Sequence, residues 1–269
     1  HPDPAERMPP RTSGKSALTA AEQATLAAWI DAGASYEPHW AFVPPQRPAV
    51  PQVPGAEPIE AFLRAAQDAH GLTPAPLADR STLVRRAFLV LTGLPPTPAE
   101  TAAFLADARP DAFARLVDTL LDSEPYRTRY AEHLASVWLD AARYADTCGI
   151  HMDAGRQIWP WRDWLLRALR DDLPFDRFVI EQLAGDQLPE ATLDQRVATG
   201  FLRAHVTTDE GGAIDEEYRV EYAAERTSTV GSVFLGLTVG CARCHDHKYD
   251  PVRQEDYYRL FAFFNQNQE

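Results

Sequence analysis

From residue 59 to residue 264 apolar side chains return every three or four positions in short runs, the period of a helix with one buried face, and clusters of Pro and Gly separate the runs. The pattern predicts helices over 59–70, 81–91, 99–106, 111–121 and 126–144, then over 161–171, 175–183, 195–204, 216–228 and 254–264. Upstream, a helix is predicted over 18–33, where Thr19 and Glu22 stand in capping-box spacing, Leu26, Trp29 and Ile30 form the apolar face and Gly33 supplies a stop. Only SVFLGLTV, residues 232–239, favours a strand. The expected fold class is mainly α: an irregular helical domain with long polar loops and no internal repeat.

Between the first two helices the chain reads PPQRPAVPQVPGAEP, residues 44–58, whose six prolines cannot donate ladder bonds and favour extended polyproline geometry. A linker and domain boundary are expected there, with segments 1–43 and 59–269 on either side. At 269 residues, 45% hydrophobic and 24% charged, the chain can bury a real core. Its net charge of −13 would repel a phosphate backbone, and no basic cluster compensates locally, so nucleic acid is not an expected partner. The longest apolar run, from Val230 to Gly240, is about half the roughly 20 residues that cross a bilayer, so no membrane span is expected. The chain starts at His1 without a charged-then-apolar leader; it is expected to be a processed product or an excised piece, with any targeting signal upstream.

Composition changes the picture most at CARCHDHKYD, residues 241–250, which gathers two thiols, two imidazoles and two carboxylates. Cys-x-x-Cys-His is what covalent haem attachment requires: Cys241 and Cys244 reach two vinyl groups of one porphyrin, and His245 falls below the iron as proximal ligand. Zinc and a redox disulfide are the alternatives. A zinc ribbon needs a second Cys/His pair, and the remaining cysteine, Cys148, lies far upstream beside His151.

Several long segments carry a resemblance: RRAFLVLTGLPPTPAE, WLDAARYADT, DWLLRALRDDLPFDRFVIEQLAGD, VATGFLRAHVTTDEGGAIDEEYRVE and VGSVFLGLTVGCARCHDHKYDPVRQEDYYRLFAFFN. From about residue 58 onward the chain resembles the planctomycete-type cytochrome family, large secreted proteins whose central domain has no assigned function. Residues 1–43 are similar to the tail of the small cytochrome c domain that precedes the central domain in that family. The resemblance implies that Met8 is a distal ligand of a haem whose own Cys-x-x-Cys-His lies upstream, and that further domains flank the chain. Family members usually carry Asp where this chain has Val90.

With His245 proximal, the distal position separates electron relay from catalysis, because a vacant site admits a substrate. His205, which opens the loop HVTTDEGG, is the first expected pocket residue and distal ligand; Met152 is the other candidate ligand. Glu210 in the same loop is a candidate distal acid/base, with Arg203 nearby. Arg243, inside the motif, is counted with the cofactor-binding residues, and His247 is expected to bind a propionate or to act behind the ligand. Asp209, Glu210, Asp215, Glu216, Glu217, Glu221 and Glu225 form an acidic series, expected either to be a solvated face offset by Arg219 and Arg226 or, without any EF-hand-type loop spacing, to hold calcium. Trp159, Trp161, Arg156 and Arg162, with Arg143 and Tyr144, form a second concentration suited to sugar or propionate binding, or to packing and buried ion pairs.

The chain is therefore expected to be an exported, periplasmic c-type cytochrome domain with covalent haem c, exchanging electrons with other cytochrome domains or redox proteins. The alternatives are a haem-dependent oxidoreductase acting on a small or carbohydrate-derived substrate, and a polysaccharide-binding module with a structural haem or metal.

Overall fold

The computed structural model describes residues 13–208 and 210–267, so Met8 and Asp209 lie outside the described residues. The chain divides into two compact units that part between Pro76 and Leu77.

In the first unit, α1 (Ala20–Asp31) opens on the expected capping box: Glu22 N donates to Thr19 Oγ1 at 3.3 Å and Thr19 N donates to Glu22 Oε2 at 2.7 Å. Gly33, at φ 97°, ends the turn that follows. α1 buries no side chain, and Leu26 and Ile30 are exposed. After the proline-rich segment, α2 (Pro58–Ala69) starts on its own proline, whose missing N–H is not needed at a helix N-terminus.

The second unit is helical throughout: α3 (Arg80–Thr92), α4 (Pro98–Ala106), α5 (Ala112–Asp122), α6 (Tyr126–Ala141), α7 (Trp159–Arg170), α8 (Phe175–Ala184), α9 (Leu193–Ala198), α10 (Asp215–Val230) and α11 (Gln254–Ala262). Val84, Phe88, Phe104 and Leu120 join α3, α4 and α5 in one apolar cluster. The main core lies farther along the chain, where Trp161, Trp164 and Leu165 of α7 meet Phe178, Phe201, Ala223 and Phe264. A third, small cluster of Val239, Ala242 and Tyr257 packs α11 beneath the Cys-x-x-Cys-His segment.

Polar side chains set the helix ends. Asp79 caps α3, accepting from Thr82 N at 2.9 Å and Ser81 Oγ at 2.6 Å, and these bonds, Ser81 first, pull its carboxyl down to about 2. A carboxyl depressed on folding stabilises the native state above its ordinary value near 4, and that stabilisation is lost as pH falls through about 2. Asp79→Asn, which cannot ionise, is expected to be less stable than the parent at pH 7, with the gap closing between about pH 4 and pH 2. Denaturant unfolding at stepped pH checks this; a gap that stays constant down to pH 2 would remove Asp79 from the acid limb.

Three expectations are corrected. Residues 232–239 are not a strand: Gly231–Leu235 forms a π turn, Gly236 adopts φ 64°, and the chain folds back so closely that a Cβ on Gly231 would lie 2.4 Å from Val239 Cγ2. Among the described residues the only extended pairings are isolated bridges, Thr147 with Gly155 and Gly149 with Thr207. The helix expected over 195–204 splits into α9 and a 3-10 turn, Thr199–Arg203, because Gly200 sits directly against Trp161 and Thr199 Oγ1 donates back to Arg196 O at 2.7 Å. α6 stops at Ala141, since Arg143 takes a left-handed φ of 62° while Tyr144 N bonds Leu139 O at 2.9 Å, a Schellman-like stop without glycine.

Candidate functional site

The Cys-x-x-Cys-His segment begins in a 3-10 turn, Val239–Arg243, that buries residues three apart. Val239 and Ala242 face the small core with Tyr257, so Cys241 and Cys244 are left exposed, each as a thiol outside any disulfide. His245 follows, exposed, with Nδ1 2.7 Å from Asp246 O. If Nδ1 carries the proton and donates it to that carbonyl, the Nε2 lone pair is available to a metal.

The residues after His245 lock this turn. His247 is nearly buried, its side chain 8% exposed; Nδ1 accepts from Asp250 N at 2.8 Å and Nε2 stands 3.2 Å from Thr238 Oγ1. Both ring nitrogens are therefore used within the loop, and His247 is a scaffold residue. Asp246 Oδ1 accepts from Gln254 N at 2.8 Å, and the Gln254 amide and Tyr258 hydroxyl both donate to Arg243 O at 3.1 Å. α11 thus holds the turn from below through side chains as well as packing.

α10 holds it from the side. Arg243 makes a two-pronged pair with Glu221, 2.9 and 2.5 Å, which lowers the glutamate's pKa and raises the arginine's. One turn on, Glu225 binds Arg143, whose pKa is lowered by burial against the opposing pull of Glu225. The acidic series is thus offset at Glu221 and Glu225 by Arg243 and Arg143, and at Glu216 by Arg219. Arg226, expected to serve that role, instead turns inward.

Arg226 is 3% exposed and His205 0%. Arg226 Nε donates to Leu202 O at 2.8 Å, and Nη2 lies 2.9 Å from His205 Nε2. A guanidinium has no lone pair to offer, so the network assigns Nε2 as acceptor and puts the imidazole proton on Nδ1, 2.8 Å from Val206 O. Arg156 reaches the same backbone from the other side, donating to Ala204 O at 3.1 Å and His205 O at 2.6 Å. His205 packs at a tilt against Tyr222, ring centroids 4.8 Å apart, and lines none of the three cavities that its neighbours line. The expected open-pocket histidine is a buried post that anchors the loop.

Other residues do meet. A cavity of about 320 Å³ brings together His151, Met152, Cys148 and Glu210, with His151 Nε2 3.5 Å from Glu210 Oε1. Met152 is 82% exposed. A neighbouring cavity of about 320 Å³, which shares Ile150, is lined by Tyr222, Glu221, Glu225 and Arg243 and so adjoins the Cys-x-x-Cys-His turn. The loop carrying His151 is held by Asp153, whose Oδ1 accepts from Gly149 N at 2.7 Å and whose pKa is lowered by Thr147 first and Gly149 second. Val90 is an exposed position on α3.

The tryptophan and arginine concentration is mostly interior. Trp161 is 1% exposed in the main core, so it offers no surface to a glycan, whereas Trp159 is half exposed with its indole N–H on Gln157 Oε1 at 3.0 Å. Sequence reasoning missed the inward turn of Arg226. The available signal was an arginine on the same helical stripe as Tyr222, Ala223 and Val230, an apolar face where a cation needs internal partners.

The donor set at 241–245 suits a covalently held haem: two exposed thiols on one turn, and an adjoining imidazole with one nitrogen open. Among the described residues no group of three or more His, Cys, Asp or Glu is placed to hold a metal ion, and no helix is long and apolar enough to cross a membrane. The family model PSCyt2, a protein of unknown function (DUF1549), matches residues 58–269. No curated protein and no solved structure matches the chain.

Proposed function

We propose, from the premise that the chain belongs to the PSCyt2 family of proteins of unknown function, that it is an exported c-type cytochrome domain that relays electrons. The observation that carries this reading is the pair of exposed thiols on one turn, Cys241 and Cys244, with His245 directly after them. Cys241 and Cys244 would form the thioethers, and His245 would offer Nε2 while Asp246 O fixes its tautomer. Bound in this way, haem supplies a one-electron iron couple. The exposure of the turn supports exchange with another redox protein or cytochrome domain at close range. Export follows from the chemistry, since thioether formation of this kind takes place outside the cytoplasm.

Of the two candidates for the sixth position, Met152 is exposed, whereas His205 would have to give up Arg226 and Val206. A second reading, an oxidoreductase with an open distal site, draws on the cavity that joins His151 and Glu210. The absorption spectrum of the protein matured with haem separates the readings. A low-spin spectrum indifferent to carbon monoxide is expected for the relay, and a high-spin spectrum that shifts with carbon monoxide supports the oxidoreductase. No Soret band after maturation would end the haem reading and return the two thiols to zinc or disulfide chemistry.

A further inference from the structure

A cavity of about 680 Å³ in the second unit lies across Tyr222 from the cavity beside Arg243, and the tyrosine lines both. Its wall carries Arg156, Arg196 and Arg203, together with Gln157, Thr199 and Trp161, and no carboxylate among the described residues. This is unexpected for a chain with 39 acidic against 26 basic residues, in which other arginines of this unit, such as Arg167, Arg170 and Arg243, have an acid beside them. The guanidinium groups of Arg196 and Arg203 have no hydrogen-bond or ion-pair partner among the described residues. Arg156 spends its N–H groups on the carbonyls of Ala145, Arg203, Ala204 and His205, which leaves its positive charge without a facing anion.

Three cations, an amide and a hydroxyl around one concave space ask for an acceptor-rich, negatively charged occupant.

We propose that this cavity binds a small organic oxyanion, a carboxylate- or sulfate-bearing molecule between a monosaccharide and a disaccharide in size. Arg196 and Arg203 take the anionic group, and Arg156 holds the wall while adding its field. The site stands apart from the haem reading, because nothing in it uses Cys241, Cys244 or His245.

Calorimetric titration of the whole, haem-matured protein with sodium sulfate, D-glucuronate and D-glucose at constant ionic strength tests it. Saturable binding of glucuronate is expected, with sulfate competing and glucose at least tenfold weaker. Arg196→Ala with Arg203→Ala should weaken glucuronate at least tenfold with unchanged circular dichroism, both side chains being exposed. Arg167→Ala removes the same charge from the surface pair with Asp194 and should leave binding unchanged. The proposal is overturned if neither anion binds, if glucose binds as well as glucuronate, or if the double arginine variant binds as the parent does. Binding confined to the haem-free Cys241→Ala/Cys244→Ala variant would also overturn it, by assigning the guanidinium groups to the haem propionates.

Discussion

Replacing both Cys241 and Cys244 by Ser is expected to remove all haem that survives denaturation, whereas either single replacement retains haem through the remaining thioether. The fold should survive the double change. Packing in this segment comes from Val239, Ala242 and Tyr257, while both thiols point to solvent, so the apoprotein is expected to stay within about 0.5 kcal/mol of the parent. His245→Ala should keep the tether and alter the spin state, because it removes an axial ligand and no thioether. Mass spectrometry after acid-acetone extraction reads the covalent haem directly. Haem still attached to the double serine variant would sink the assignment of the thioethers.

Arg226→Leu is expected to lower stability by about 3 kcal/mol, a fall of roughly 10 °C in Tm for a chain of this size. The arginine is buried on the core side of α10, and its loss takes a donor from Leu202 O and from His205 Nε2 in a site that water reaches poorly. Leucine fills part of the volume but offers neither group a donor. Arg226→Lys should recover only part of the loss, since one ammonium cannot reproduce a planar fork that spans a carbonyl and an imidazole. Thermal unfolding followed by circular dichroism measures the effect. The exposed Arg259→Ala, which breaks a surface pair with Glu255, serves as the control and should stay within about 0.5 kcal/mol. A drop for Arg226→Leu no larger than the control's would show that the buried network contributes nothing to stability.

The loop that Arg226 supports explains how the two cavities beside α10 keep their shape. Residues 202–205 are gripped from opposite sides by Arg226 and Arg156, and Thr208 N donates to the Tyr222 hydroxyl at 2.7 Å. Weakening this grip should disturb both the wall of the arginine-lined cavity and the surroundings of Arg243, since Tyr222 belongs to both.

Sequence alone determined the helical class, the start of α1 at its Thr19/Glu22 box, and the Cys241, Cys244, His245 set. Each of these rests on spacing within one or two turns of chain, which local periodicity encodes directly. Tertiary structure decided which groups remain available. His205 and Arg226 are 21 residues apart, Arg243 and Glu221 22, and Arg156 and His205 49, so no local pattern announces that they meet. Trp159 and Trp161 sit two residues apart in one motif, yet packing against Phe201 and Gly200 buries the second and leaves the first half exposed. Residues 232–239 have the composition of a strand, but the close contact of Gly231 with Val239 folds them into turns, because burying that contact outweighs a weak intrinsic β preference.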